Sequence, residues 1–278
     1  MLASILAPYI TGRYDVTCVP IAIPAALVTM LLPALWGDGA PIFLSQAELR
    51  RAGLDGVPDP GDGNRWAVVQ VGQQISTGVG FGPGRKTFYE AKLEVPFLRH
   101  PLAARADPPT PFTYKHTLLF SSHLMALSSQ HISGLTSSKV GFRVDPATYQ
   151  AEGYFSVKDH PDDDASGPGS RSNRGPAWSP ETIKTAFEGW FVGENTGPGA
   201  TRFHTKDITA PKSRASLHVR LHLPTLTGLP LEAVTKLLGN EPAQAGRLDG
   251  EGWYDVTGVE GYELSVETRM EVCKLDQL

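Results

Sequence analysis

The stretch KTFYEAKLEV, residues 86–95, alternates between apolar and polar side chains along most of its length. Phe88 and Val95 are among its apolar positions, whereas Lys92 and Glu94 are of types that prefer water. A period of two residues is typical of a β-strand with one face on a core and the other toward solvent. The pattern therefore predicts a half-buried strand.

Strands of this kind are predicted along most of the chain. They cover residues 15–21, 66–71, 116–120, 139–144, 151–157, 215–223 and 262–272. Helices are predicted to be few and short, at residues 46–51, 180–187 and 230–238, after Pro24 as far as Pro33, and within 121–130. A polar segment at about 159–179 has no apolar periodicity and is predicted to be a flexible loop.

Glycine and proline together number 29 + 23 = 52 of the 278 residues, which favours strands and turns over long helices. We predict an α+β, β-rich fold with a curved antiparallel sheet or β-barrel and short helices at its margins. Hydrophobic residues make up 41% of the chain, which argues against disorder. The net charge of −4 offers no basic surface, so we predict neither nucleic acid nor membrane partners.

Residues 16–36 are apolar, but Pro20, Pro24 and Pro33 argue against a membrane-spanning helix there. No charged segment with a cleavage site precedes them, which argues against a secretion signal. The chain has two cysteines, Cys18 and Cys273, too few for a disulfide scaffold. A cytoplasmic location is the expectation.

Four segments in order resemble the acetoacetate decarboxylase superfamily. They are Arg13-Tyr-Asp-Val with the helix ending at Leu31-Leu-Pro33, Tyr89-Glu90 with Val95-Pro96, Gln130-His-Ile-Ser-Gly-Leu-Thr-Ser-Ser-Lys139-Val-Gly-Phe, and Leu226-Thr-Gly-Leu-Pro230-Leu-Glu. The resemblance spans most of the chain and implies a single domain over residues 1–278. It also implies a barrel or cone-shaped sheet around a buried small-molecule cavity, in a homo-oligomer.

The family's Pro-Lys-Lys motif marks the main departure. In the family the first lysine forms a Schiff base with a β-keto acid, and the second lowers its pKa. Here the segment reads Thr136-Ser137-Ser138-Lys139. Ser138 then stands in the position of the nucleophile with Lys139 as its neighbour, or, after a slip of one residue, Lys139 stands there without a partner cation. Gln130 and His131 replace the family's arginine and glutamate.

The resemblance assigns eight candidate site residues. Catalytic roles fall to Lys139, Glu90 and His131, and substrate contacts to Arg13, Ser137, Ser138, Gln130 and Ser133. Structural alternatives stand beside them: a solvent-exposed Lys139, an exposed strand carboxylate at Glu90, and an ion pair at Arg13. His218 and His222 lie four residues apart on a predicted strand, about 13 Å, too far to share a metal ion.

Three functions follow as hypotheses. The first is a secondary-metabolite tailoring enzyme that takes an apolar carbonyl-bearing substrate without a Schiff base, metal or organic cofactor. Orientation alone would then promote a cyclisation of the Diels–Alder type or a dehydration. The second is a Schiff-base decarboxylase or aldolase-type lyase using Lys139. The third is a carrier of an apolar ligand without catalysis.

Overall fold

The computed structural model describes residues 10–33, 43–79, 84–99, 108–159, 178–193, 199–239 and 246–274. Most of these residues lie in one sheet. Its strands are β1 (Ile10–Pro24), β2 (Asn64–Val79), β3 (Lys86–Arg99), β4 (Pro111–Phe120), β5 (Ser137–Lys139), β6 (Phe142–Asp145), β7 (Thr148–Ala151), β8 (Phe155–Asp159), β9 (Gly189–Val192), β10 (Gly199–Ile208), β11 (Lys212–His222), β12 (Arg247–Leu248) and β13 (Trp253–Lys274).

Seven of these strands pair in a closed ring. β1 to β4 pair in sequence as antiparallel neighbours, β4 pairs with β9 in parallel, and β9, β10 and β13 follow. β13 then pairs with β1 and closes the ring, with Val16 opposite Leu264. Closure gives each of these seven strands a neighbour on both sides. The curved, mostly antiparallel, β-rich fold predicted from the sequence is confirmed.

Four further strands form an arm that extends from the first half of β13, in the order β11, β8, β7 and β6. The short strands β5 and β12 pair with β4 and β13. Apolar side chains of this arm pack with the outer face of the ring, where Leu93 and Val95 share one core cluster with Phe155 and Val219. The inner face of the ring has its own cluster, which includes Trp66 and Leu264.

β3 is therefore buried on both faces, and the prediction of a half-buried strand was wrong. Every residue from Glu90 to Leu98 is buried, including Lys92 and Glu94. The reason is tertiary, because the arm covers the outer face while ring closure encloses the inner one.

The helices are short, as predicted. They are α1 (Ala25–Met30), α2 (Gln46–Arg51), α3 (His123–Ser133), α4 (Pro180–Ala186), α5 (Leu223–Thr227) and α6 (Leu231–Leu238). Ser45 and Glu48 form a capping box that fixes the start of α2. Within the described part of the chain, no helix combines the length and apolar character needed to cross a membrane.

Two predicted strands are divided in the structure. Residues 139–144 contribute to both β5 and β6, and residues 151–157 to both β7 and β8. Gly153, at a φ of 76°, makes the turn between β7 and β8, a conformation that glycine adopts without strain. Most of the predicted loop, residues 160–177, lies outside the described residues.

The backbones of β1 and β2 approach each other closely at Gly72, and a substitution there tests this packing. A β-carbon at Gly72 would lie 2.1 Å from the Asp15 carbonyl oxygen, a contact that only a backbone shift can relieve. We expect Gly72→Ala to lower the free energy of unfolding by about 1–3 kcal/mol. Urea unfolding followed by tryptophan fluorescence measures this loss. Gly250→Ala is the matched control, because a β-carbon there meets nothing within 4 Å; equal losses in both variants would contradict the close approach.

Candidate functional site

Four charged side chains are buried together on the inner face of the ring. Glu90, Lys92 and Glu94 of β3 and Lys115 of β4 are each no more than 4% exposed. We call these four residues the ion quartet. Buried charges are rare and are found paired, at metals or at functional sites, so the ion quartet is the candidate site.

The ion quartet consists of two ion pairs. Lys115 Nζ lies 2.6 Å from Glu94 Oε1, and Lys92 Nζ lies 3.3 Å from Glu90 Oε2. The neighbouring strand β2 supplies amide donors to both carboxylates. Gln70 Nε2 donates to Glu94 Oε2 at 2.9 Å, and Gln74 Nε2 donates to Glu90 Oε2 at 2.6 Å. Both carboxylates are therefore held in place by two partners each.

Aromatic rings lie against both ammonium groups. Lys92 Nζ is 4.4 Å from the ring centre of Tyr14, and Lys115 Nζ is 4.1 Å from that of Phe191. Such contacts stabilise a desolvated cation. The Tyr14 hydroxyl is buried and has no hydrogen-bond partner among the described residues. Burial is the main cause that raises the pKa of Tyr14, and the nearby charge of Glu90 raises it further, so the phenol stays neutral.

A β-bulge in β4 brings Lys115 to the inner face. Thr117 pairs with Leu93 and Lys115 pairs with Glu94, which leaves His116 as an extra residue without a partner on β3. In a regular strand, Lys115 and Leu118 would point to opposite faces because they are three residues apart. The bulge reverses that alternation, so both line one cavity.

A second bulge acts in the same way on β2. Gln74 pairs with Phe88 and Thr77 with Lys86, so β2 has one residue more than β3 in between. Ser76 in this bulge has a positive φ of 50°. Thr77 therefore lies on the inner face, where its hydroxyl donates to Gln74 Oε1 at 2.9 Å.

The pKa of Lys115 is set mainly by its burial. Burial lowers the pKa of the Lys115 ammonium, the Glu94 carboxylate opposes that shift, and the positive charge of Lys92 adds to it. The outcome is a pKa below the ordinary lysine value. An amine with a lowered pKa is a better nucleophile at neutral pH.

A cavity of about 70 Å³ lies against the ion quartet. Glu90, Lys92 and Lys115 line it, together with Gln74 and Thr77. The rest of the lining is mostly apolar and comes from β1, β3, β4 and β13, from α3 and from the loop that follows it: Ile10, Phe88, Leu118, Phe120, Met125, Ser128, Ser129, Leu135 and Met270. Its volume matches a molecule of a few heavy atoms and is well below the 300–1,000 Å³ of sites for larger ligands.

Of the predicted site residues whose side chains the structure describes, Glu90 alone lies at this cavity. Lys139 is exposed at the end of β5, which is the structural alternative considered for it. Arg13 is half-exposed and forms an ion pair with Asp15 at 3.1 Å, the alternative considered for it. Its side chain points away from the interior because the neighbouring Tyr14 occupies the inner face of β1.

The predicted residues between 130 and 138 lie apart from the ion quartet. Ser137 is buried, but its hydroxyl donates to the Ala126 carbonyl at 2.8 Å, and Gln130 Nε2 donates to the Ser137 carbonyl at 2.6 Å. These bonds join α3 to β5. Ser138 lines a different cavity, and His131 is exposed on α3. The side chain of Ser133 lies outside the described residues.

Sequence reasoning missed Lys92, Glu94 and Lys115. The spacing of Glu90, Lys92 and Glu94 did carry a signal, because residues i, i+2 and i+4 of a strand share one face. We nevertheless placed Lys92 and Glu94 toward solvent and predicted only Glu90 in a site. Lys115 had no such signal, since its orientation depends on the bulge at His116.

The chain is similar to several solved structures, at low sequence identity. No family model and no curated protein matches the chain. Among solved structures, the enduracididine biosynthesis enzyme MppR, complexed with the condensation product of pyruvate and imidazole 4-carboxaldehyde, matches with a TM-score of 0.47 and 11% identity. That match covers 96% of this chain and 89% of that one. Acetoacetate decarboxylase from Legionella pneumophila matches with a TM-score of 0.46 and 11% identity, over 96% and 87%.

An acetoacetate decarboxylase-like enzyme from Sphingomonas wittichii RW1 also matches, with a TM-score of 0.41 and 11% identity, over 96% of this chain and 94% of that one. The proteins retrieved thus include those of the superfamily that the sequence resembles. Because all of these TM-scores are below 0.5, we infer this chain's reaction from its own residues alone.

The pairing in the ion quartet leads to a test of stability. Removing one partner of a buried ion pair leaves the other charge unpaired, so we expect Lys115→Ala to lower the free energy of unfolding by about 3–5 kcal/mol. Lys139→Ala, the exposed control, should change it by less than about 0.5 kcal/mol. Urea unfolding at pH 7 compares them. Similar small changes in both variants would show that Lys115 is not held in a buried pair.

Proposed function

We propose that the protein is an enzyme in which the Lys115 amine condenses with the carbonyl group of a small substrate. The observation that carries this proposal is a buried lysine of lowered pKa that lines a cavity together with a second lysine, Lys92. This is the Schiff-base alternative considered from the sequence, with Lys115 in the role first given to Lys139.

The condensation balances as follows. The amine nitrogen bonds to the carbonyl carbon as the C=O π bond breaks, and the carbonyl oxygen leaves as water. One of the two protons in that water comes from the amine and the other from solvent. The product is a protonated imine, whose positive charge draws electrons from the adjacent carbon and weakens its bonds.

Glu90 is the candidate general base for the step after imine formation. It lines the cavity beside Lys92 and is held by Gln74. As a carboxylate it can take a proton from the carbon next to the imine, which gives an enamine, and return it later. Cleavage or formation of a bond at that carbon is lyase chemistry. Lys92 supports the cycle by lowering the pKa of Lys115.

The first hypothesis from the sequence is different: a secondary-metabolite enzyme that cyclises or dehydrates an apolar carbonyl-bearing substrate without a Schiff base. That prediction rested on the loss of a lysine pair between residues 136 and 139. The pair formed by Lys92 and Lys115, and a cavity of about 70 Å³, favour covalent chemistry on a small carbonyl compound instead. A non-catalytic carrier stays the third candidate.

The covalent step is tested by trapping. We expect borohydride with acetone, propanal, pyruvate and acetoacetate in turn to leave a reduced adduct with at least one of them. Peptide mass analysis should place this adduct at Lys115. Lys115→Arg keeps the charge but cannot form the imine, so the adduct should vanish, whereas Lys139→Arg should retain it. An adduct that survives Lys115→Arg would refute the assignment.

The role of Lys92 is tested by pH dependence. Lys92→Gln removes a positive charge near Lys115 and retains a donor for Glu90, so the pKa of Lys115 should rise. A smaller fraction of Lys115 is then the neutral amine at pH 7. The curve of adduct formation at Lys115 against pH should therefore shift to higher pH. Lys86→Gln, on the same strand but exposed, is the control. Equal profiles for both variants would remove Lys92 from the scheme.

A further inference from the structure

The charges around the small cavity balance one another. The ion quartet contains two carboxylates and two ammonium groups, a sum of zero when Lys115 is protonated and −1 when it is the neutral amine. The nearest other titratable groups add nothing, because burial raises the pKa of both the Tyr14 phenol and the Cys18 thiol and keeps them neutral.

No further cation faces this cavity among the described side chains. The described residues of its lining include no arginine or histidine, and beyond the ion quartet their polar groups are an amide and hydroxyls. Both lysines are already engaged by Glu90 and Glu94. An anionic substrate would therefore enter without a counter-ion of its own.

The charge of the substrate decides how well the imine is accommodated. With a neutral amine at Lys115, an uncharged carbonyl compound gives a positive imine and returns the site to zero. An oxo acid gives the same imine but adds a buried carboxylate, so the site holds an unpaired negative charge. Burying an unpaired charge is strongly unfavourable.

We infer that this cavity takes a small uncharged aldehyde or ketone and not an oxo acid. The inference rests on the proposed function, since it concerns the substrate of the same Lys115 amine. The imine forms with loss of one water, as described above. An uncharged substrate has no carboxylate to lose as carbon dioxide. The later step is therefore carbon–carbon bond cleavage or formation of the aldol type, or loss of water, with Glu90 moving the proton.

Matched pairs of compounds test the charge alone. Acetylacetone and acetoacetate have the same number of heavy atoms and differ in a methyl group against a carboxylate oxygen. Methyl pyruvate and pyruvate form a second pair. Each is incubated with the wild-type chain and cyanoborohydride at pH 7, and the rate of adduct formation at Lys115 is divided by its rate with free Nα-acetyl-lysine. We expect the uncharged member of each pair to react at least about tenfold faster.

The outcomes separate the two proposals. No adduct at Lys115 from any of the four compounds would overturn the proposed function and this inference with it. Adducts from acetoacetate and pyruvate at normalised rates equal to or above those of their partners would overturn this inference and leave the proposed function standing.

A variant pair gives a second measurement. Glu94→Gln removes one negative charge from the ion quartet and should raise the relative rate of the two anions several-fold. Glu232→Gln changes the net charge equally, at an exposed position on α6, and should leave the preference unchanged. An unchanged preference in folded Glu94→Gln would contradict the charge argument. If that variant does not fold, the wild-type comparison decides alone.

Discussion

Pairing of buried charge is the constraint on which the interior of this protein depends. Lys115, Lys92 and the two carboxylates that face them are withdrawn from water inside a ring of strands. A single unpaired charge there would be strongly destabilising. The ion pairs, the amide donors from β2 and the aromatic rings must therefore all lie in contact with the buried charges. The same arrangement makes one amine reactive, because desolvation and a neighbouring cation both disfavour its protonated form. Stability and reactivity thus have one physical origin.

Irregularities of the backbone bring these side chains to the inner face. The bulges at His116 and next to Ser76 each reverse the alternation of a strand, so that side chains three residues apart share the inner face. Without them, Lys115 would point into the apolar outer cluster and Thr77 away from Gln74. Bulges are frequent beside functional sites because they re-aim a side chain without breaking the sheet. The site is therefore a property of strand pairing as much as of residue identity.

The lysine pair shows how spatial proximity replaces sequence proximity. The sequence suggested that an activated lysine needed a second cation next to it in the chain, and the segment from Thr136 to Lys139 lacks one. In the structure the two lysines belong to adjacent strands, 23 positions apart by number, and both line one cavity. Coulombic effects depend on distance in space alone, so chemistry that appears lost from one segment can be assembled from two others.

The sequence by itself determined the β-rich class, the short helices and the burial of apolar positions, because strand alternation, proline and glycine act locally. It also singled out Glu90, through a resemblance, although not its partners. Tertiary structure decided the rest. Closure of the ring buried the second face of β3, which no local pattern encodes, and a bulge turned Lys115 inward against the alternation of its own strand. Lys139 and His131 face solvent for the converse reason: β5 and α3 present them away from the interior that the ring encloses.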